Sequence, residues 1–170
     1  MPARARLAVA VAIALLSALG IVVLAVHWLA GDGRVTVPKV LHEARAVRPF
    51  TGYREVGIAF GERCVRVVVA DTPAKRERGL RGVADLGPYG GMLFAQPRET
   101  TTAFTMAGVS APLEITWYSA GLRSTGASRM RPCPNGDVAH CPVYANNRPY
   151  RFALETPDGV TAPGALVGCG

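Results

Sequence analysis

Histidine is scarce in this 170-residue chain, which has only His27, His42 and His140. Only His140 lies in the part of the sequence that we expect to fold as a domain. The sequence also lacks an H-E-x-x-H motif, a glycine-rich phosphate loop and a Ser-His-Asp arrangement. These absences exclude the zinc proteases, nucleotide-binding proteins and serine hydrolases that carry those motifs. The sequence indicates no cofactor and no resident metal.

Charged residues are also sparse and make up 18% of the chain. Their formal net charge is +7. The bases are scattered apart from one dense run, Lys75, Arg76, Arg78 and Arg81. No basic stripe is interleaved with the aromatic side chains on which single-stranded nucleic acids stack. We therefore do not expect nucleic-acid binding. Arg76 and Arg78 either dock an anionic headgroup or solvate a helix, and the second interpretation is favoured because charge runs usually mark solvated faces.

Residues 7–30 form a run of 24 residues without Asp, Glu, Lys or Arg, directly after Arg4 and Arg6. A helix of this length crosses a bilayer core of roughly 30 Å. The run is longer than the apolar core of a secretory signal, and it ends without a clean Ala-x-Ala cleavage site. We therefore predict a cytoplasmic N-terminus at residues 1–6 and a transmembrane anchor at 7–30. A stalk at 31–57 and an extracytoplasmic domain at 58–170 follow. The alternative is secretion after cleavage of a signal.

The four cysteines are Cys64, Cys133, Cys141 and Cys169. Asn135-Gly136 provides turn chemistry between Cys133 and Cys141, which predicts a disulfide across this short loop. Cys64 and Cys169 would pair if the first and last strands of the domain are neighbours. A zinc site at Cys133, His140 and Cys141 is the competing interpretation, but its spacing is not that of zinc ribbons. Disulfides require an oxidising compartment, which places the domain outside the cytoplasm.

The domain itself reads as mainly β. Val65, Val67 and Val69 alternate with other residues, and Leu113, Ile115 and Trp117 alternate with Glu114, Thr116 and Tyr118, as in half-buried strands. Thr72-Pro73 is typical of a helix start and predicts a short helix over 73–81, ended by Gly79 or Gly82. Several short strands with frequent glycine and proline favour a small β-sandwich or barrel-like domain with one short helix.

A series of residues from 64 to 168 carries a resemblance to a known family. The series comprises Asp71-Thr72-Pro73, Arg76, Arg78-Gly79-Leu80, Gly82, Leu86, Gly91-Met92-Leu93-Phe94, Phe104, Met106, Pro112-Leu113-Glu114-Ile115, Met130 through Cys133, Cys141-Pro142, Tyr144, Pro149-Tyr150, Leu154-Glu155 and Gly159. In this order they resemble the bacterial and archaeal domain-of-unknown-function family numbered 192. The resemblance implies a compact, mostly β fold, often behind an export signal or anchor, and it implies no reaction.

Some positions depart from that family pattern. Thr105 stands where members usually have Trp, and Ala107-Gly108-Val109 stands where they usually have polar residues. Members more often have Asp where this chain has Glu114. If the family shares a polar pocket, the resemblance implies that this chain has lost much of its lining.

Glu114 is the first candidate for function, because a carboxylate on an apolar strand can face a cavity and bind a ligand or act as a general base. The alternative, which we favour, is that Glu114 faces solvent or pairs with an arginine such as Arg66 or Arg151. Glu155 shows the same alternation and ranks lower. Phe104, Met106 and Tyr144 complete the predicted ligand-binding set.

The sequence therefore predicts a membrane-anchored module that binds a glycan, a peptide or a protein partner at the cell envelope without catalysis. One alternative is a hydrolase of an envelope polymer with Glu114 as acid or base. The other is a structural subunit of a membrane complex, whose anchor helix makes the contacts.

Overall fold

Alternating apolar residues form the central strands of a seven-stranded sheet. A computed structural model of the chain describes residues 33–134 and 138–170. The strands are β1 (Glu43–Arg45), β2 (Arg54–Phe60), β3 (Arg63–Ala70), β4 (Met92–Thr100), β5 (Phe104–Thr105), β6 (Leu113–Tyr118), β7 (Ser124–Met130), β8 (Val143–Tyr144) and β9 (Tyr150–Pro157). The order in the main sheet is β1-β2-β3-β4-β9-β6-β7, and β5 pairs with β8 in a separate two-stranded sheet. The fold is therefore mainly β, as predicted.

The main sheet is antiparallel except where β3 and β4 run parallel. Its order is open, with β1 and β7 at the two edges. The sequence predicted a sandwich or barrel. In the described part of the chain, the main sheet is instead a single open sheet with an apolar core on each face. The parallel pair needs a crossover, which the residues between β3 and β4 supply.

The two cores follow from the alternation of side chains along each strand. One, here called the front core, contains Leu113, Ile115 and Trp117 together with Met130 from β7. The back core contains Tyr118 and the alternate side chains of neighbouring strands, Val56, Ile58, Val67, Val69, Leu93, Phe152 and Leu154. The predicted split of the β6 side chains between two faces is confirmed.

The predicted stalk at 31–57 requires a correction. Residues 35–170 form one compact unit, and Val35, Val37 and Leu41 are buried in the back core. The segment around 39–47 contains the strand β1 and not a helix. Alternate apolar residues let the chain from Val35 cover the back of the sheet, so the folded domain begins more than twenty residues earlier than predicted.

The predicted helix is present as α1, Pro73–Arg78. Thr72 caps its start, because the Thr72 Oγ1 accepts a hydrogen bond from the Lys75 amide at 3.3 Å. Gly79 ends it in a left-handed conformation with φ of 50°, which favours glycine. A 3₁₀ turn, Val138–His140, is the other short helical segment of the described residues.

Both predicted disulfides are formed, Cys133–Cys141 and Cys64–Cys169. The Cys133 and Cys141 sulfurs bond to each other, so they are not thiolate ligands for zinc. Cys64–Cys169 links β3 to the C-terminal residues, whose backbone bonds to Gly57 of β2. The turn residues Asn135 and Gly136 lie outside the described residues.

The predicted cytoplasmic N-terminus and membrane anchor, residues 1–30, also lie outside the described residues. Within the part that is described, no helix is both long and apolar enough to span a membrane.

Candidate ligand-binding cavity

A cavity of about 300 Å³ lies on the front face of the sheet, between α1, the sheet and the segment that carries β5. Strands β4 and β9 contribute Phe94, Gln96, Tyr150 and Glu155 to its wall. The remaining lining residues come from α1 and the turns that follow it, and from the segment around β5: Arg76, Glu77, Arg78, Gly79, Leu80, Arg81, Thr102, Ala103, Phe104, Thr105 and Val109.

Glu155 is the buried acid of this cavity. It lies on β9 between Met92 of β4 and Ile115 of β6 in the strand register, and the residue is only 5% exposed. Among the described residues, no protein group donates a hydrogen bond to its carboxyl group or forms an ion pair with it. Burial raises the pKa of Glu155 to about 8, so the group is mainly protonated at neutral pH and can both donate and accept a hydrogen bond.

Three aromatic side chains form the apolar wall. Phe104 contacts Phe94 edge to face, with ring centroids 5.1 Å apart, and lies 6.0 Å from the ring of Tyr150. The Tyr150 hydroxyl donates a hydrogen bond to the Thr102 carbonyl at 2.6 Å, which ties the segment before β5 to β9. Burial raises the pKa of Tyr150 to about 12, so the phenol stays neutral. The wall is therefore rigid and offers flat apolar surface to a ligand.

Arginines of α1 and the turn after it also line the cavity: Arg76, Arg78 and Arg81. Arg76 is held in place because its Nη1 donates to the Ala95 carbonyl at 3.0 Å. Burial lowers the pKa of Arg76, although the guanidinium remains charged. Arg78 and Arg81 are exposed. The mouth of the cavity is consequently cationic.

A buried ion cluster fixes the start of α1 on the sheet. Asp71 is fully buried, and its carboxylate accepts hydrogen bonds from Arg54 Nε at 2.7 Å and Lys75 Nζ at 2.9 Å. Burial raises the pKa of Asp71, but the bonds from Lys75 and Arg54 outweigh it, so the pKa is lowered overall. The cluster thus holds the first turn of α1 against β2. It fixes the position of the helix from which the first cavity arginines project.

The predicted ligand-binding residues do not all meet in this cavity. Phe104 lines it, whereas Met106 is buried in the front core. Tyr144 pairs with Phe104 in the β5–β8 register, and its hydroxyl accepts a hydrogen bond from the Arg131 amide at 2.8 Å. Tyr144 therefore supports Phe104 and does not itself line the cavity.

Glu114 lies elsewhere, because it projects from the face of β6 opposite to Ile115. Its Oε1 accepts a hydrogen bond from the Gly159 amide at 3.3 Å, and it is the cross-strand neighbour of Arg129. It is not among the residues that line the cavity. Its assignment as a ligand-binding or catalytic residue stays a prediction.

Sequence reasoning ranked Glu155 too low. The strand Tyr150–Pro157 reads YRFALETP, and Glu155 follows the apolar residues Phe152, Ala153 and Leu154. The expected alternation around Glu155 is wrong, because Phe152, Ala153 and Leu154 before it are all buried. An acid at the end of a run that is buried on both faces is the signal of a buried group, since ordinary half-buried strands alternate.

The fold and the cavity define a small, mainly β domain in which a buried acid and three arginines line one cavity. A model of the DUF192 family, described as "Uncharacterized ACR", matches residues 56–167. The chain therefore belongs to the DUF192 family, as the resemblance implies.

Two solved structures share the fold. A protein of unknown function from Novosphingobium aromaticivorans DSM 12444 is 22% identical with a TM-score of 0.59, over 79% of this chain and 99% of that protein. A protein from Sinorhizobium meliloti 1021, provisionally described as a transcription regulator, is 21% identical with a TM-score of 0.54. That match covers 66% of this chain and 89% of that protein. None of the curated proteins matches this chain.

Proposed function

We propose that this chain is a membrane-anchored extracytoplasmic domain that binds a small polar ligand in the front-face cavity without transforming it. The observation that carries this proposal is Glu155, a buried carboxyl group that has no hydrogen-bond partner among the described residues and lines a cavity. A cavity with apolar walls and a few convergent polar groups is the usual form of a ligand site.

The placement of Glu155 supports a role in binding. Among the described residues, Trp117 Nε1 is the fully enclosed side-chain polar atom that lacks a partner, and the carboxyl oxygens of Glu155 are not in that class. These oxygens therefore open into the cavity that Glu155 lines, where a ligand can hydrogen-bond to them.

Two features support the proposed location. The disulfides Cys64–Cys169 and Cys133–Cys141 are favoured in an oxidising compartment. The apolar run at residues 7–30 has the length of a membrane anchor, and the folded unit begins at Val35, only a few residues after it.

A second candidate function is hydrolysis of an envelope polymer. Glu155 favours it, because a buried carboxyl group with a pKa of about 8 is protonated at neutral pH, as a general acid must be. Glu114 is the acid that the sequence suggested for this role, and it lies outside the cavity. Binding remains the primary proposal because it requires only the groups present in the cavity.

A thermal-shift screen of the full chain, purified oxidised in non-ionic detergent, tests the proposal. The panel contains envelope glycans, short peptides, anionic headgroups and divalent metals. A ligand at one hundred times its dissociation constant stabilises the folded state by about 2.7 kcal/mol, which raises Tm by several degrees. We expect at least one saturable shift that Thr105→Trp, which fills the cavity, abolishes and Glu155→Gln weakens.

Glu114→Gln is the matched control, because it removes a carboxylate from the opposite face of the sheet. Shifts that survive both cavity variants, or a flat panel on a protein that melts cooperatively, would contradict the proposal. Loss of binding in Glu114→Gln alone would support the sequence-based site instead. A product that forms with the parent and not with Glu155→Gln, while binding persists, would favour the hydrolase.

A further inference from the structure

The charged residues of the cavity lining are mainly basic. Its lining contains three arginines, Arg76, Arg78 and Arg81, against the acids Glu77 and Glu155. With Glu155 protonated, the formal charge of the lining is +3 from the arginines and −1 from Glu77, or +2. Burial raises the pKa of Glu155, and none of the three arginines forms a salt bridge with that carboxyl group in the described residues.

The pairing of the arginines bears on what the cavity can bind. Among the arginines of the sheet, Arg54, Arg66 and Arg129 each form a salt bridge with a carboxylate. Four others in the described strands form none: Arg45, Arg63, Arg98 and Arg151. Within residues 33–134 and 138–170, Arg76, Arg78 and Arg81 form none. Three guanidinium groups that form no salt bridge within the described residues therefore line one cavity. Arg76 interacts electrostatically with Asp71, and Arg78 and Arg81 are exposed. The fork-shaped donors of arginine match the oxygens of a carboxylate or phosphate.

We propose that the ligand of this cavity is a small organic oxyanion with an apolar body. Its carboxylate or phosphate lies against Arg76, Arg78 and Arg81, its body lies on Phe94 and Phe104, and its uncharged end faces Glu155. This inference rests on the proposed binding function and specifies the chemical class of the ligand.

The dimensions of the site suit a ligand of this kind. A volume of about 300 Å³ lies at the lower end of the roughly 300–1,000 Å³ range of small-molecule sites, so the body is about the size of one ring. Phe94 and Phe104 meet edge to face, an arrangement that leaves ring surface for such a body.

A cationic ligand fits the site less well. It would need Glu155 ionised as its partner, and burial opposes that ionisation. It would also lie near the three guanidinium groups, which repel it. An uncharged ligand would satisfy Glu155 and leave the arginines without a role in binding.

Four matched probes that share one ring test the inference: phenylacetate, phenyl phosphate, the neutral phenylacetamide and the cationic phenethylamine. Affinities for the oxidised full chain in detergent are measured by ligand-observed NMR titration at low salt and at high salt. We expect an oxyanion to bind roughly tenfold more tightly than the amide, as charge-assisted hydrogen bonds outweigh neutral ones. The preference should shrink at high salt. The ratio between phenylacetate and phenyl phosphate shows which oxyanion the arginines prefer.

Variants locate the binding. Arg78→Gln and Arg81→Gln change exposed residues of the lining, and each should weaken oxyanion binding several-fold while leaving the amide unchanged. Arg123→Gln, an exposed arginine outside the cavity, is the matched control and should change neither. Cooperative melting of each variant confirms that it is folded.

Three outcomes would count against the inference. If the amide or the amine binds as tightly as the oxyanions and Thr105→Trp abolishes that binding, the ligand class is wrong and the proposed binding function stands. If oxyanions bind equally well to Arg78→Gln, Arg81→Gln and Arg123→Gln, the arginines do not recognise them. If neither these probes nor the envelope panel binds a folded protein, both proposals fail.

Discussion

Gly91 lies so close to Glu155 that a Cβ atom at position 91 would overlap the carbonyl oxygen of Glu155. The next residue, Met92, begins β4 and is the register partner of Glu155. A side chain at 91 must therefore push β9 away from β4. Since Glu155 is the buried acid of the cavity, this contact links the packing of the sheet to the geometry of the candidate site.

Gly91→Ala should accordingly destabilise the domain and disturb the cavity. Overpacking of a rigid backbone contact costs about 2 kcal/mol, and the displacement of β9 should also weaken any ligand shift that depends on Glu155. Chemical denaturation measures the first effect and the thermal-shift panel the second. Gly164→Ala is the control, because a Cβ there meets nothing within 4 Å. Equal stability of the two variants would show that the sheet accommodates the change.

Glu155 should make the stability of the domain depend on pH. Its pKa rises from its ordinary value of 4.5 to about 8 on folding, so between these values the folded chain holds a proton that the unfolded chain has lost. Stability should therefore fall as pH rises through this window. At pH 7 the loss is about 3 kcal/mol at 1.4 kcal/mol per pKa unit. Met92 and Ile115, the sheet neighbours of Glu155, carry no charge that would offset it.

Glu155→Gln removes the ionisable proton and nearly keeps the shape, so it should stabilise the domain at pH 8 and change little at pH 4.5. Melting curves of the parent and the variant across this range measure the difference. Glu62→Gln, which removes a carboxyl group from the exposed turn between β2 and β3, is the matched control. A Glu155→Gln variant with the same pH dependence as the parent would show that Glu155 ionises freely in the folded domain.

Local chemistry made several elements predictable from sequence. Thr72-Pro73 and Gly79 define α1 through capping, and the alternation in Leu113–Tyr118 defines both the strand and its two faces. The Cys133–Cys141 disulfide follows from a short loop. Each of these depends on residues close together in the chain, where propensities and spacing decide the structure.

Features that depend on distant residues were not predictable. The segment from Val35 reads as a stalk because its apolar residues are few, and only the back of the sheet shows what they cover. Glu114 is the second residue of β6 and is half-buried beside Gly159, whereas Glu155 lies near the end of β9 and is buried beside Met92. The apolar run before Glu155 indicates burial, but only the fold shows that this acid reaches a cavity and that Glu114 does not.

The two disulfides should contribute unequally to stability. Cys64–Cys169 spans 105 residues and Cys133–Cys141 spans 8. On the chain-entropy model, removal of the first costs about 4–5 kcal/mol and removal of the second about 2–3 kcal/mol. The paired variants Cys64→Ala/Cys169→Ala and Cys133→Ala/Cys141→Ala, compared by chemical denaturation, measure the difference.

The oxidation state provides the control for that experiment. The oxidised parent should incorporate no alkylating reagent without reductant, since all four cysteines are paired, and intact-mass analysis reads this directly. Four labelled thiols would show that neither disulfide is formed in the purified protein, so neither could contribute to its stability. An equal loss in the two double variants would show that native-state packing around Gly57 and Cys169, and not loop length, sets the contribution.

Asp71 should be among the most sensitive residues of the domain, because it is a buried carboxylate that holds Arg54 and Lys75. Asp71→Asn leaves these cations without their charged partner, which costs about 3 kcal/mol. The pKa of Asp71 is lowered on folding, so its stabilisation is present above about pH 3.8 and is lost as pH falls through the folded value. The difference between parent and variant should therefore be large at pH 7 and shrink in acid.

Asp158→Asn, which breaks the exposed pair with Arg129, is the control and should cost less than about 1 kcal/mol. Equal costs for the two variants at pH 7 would show that the Asp71 cluster does not hold α1 on the sheet.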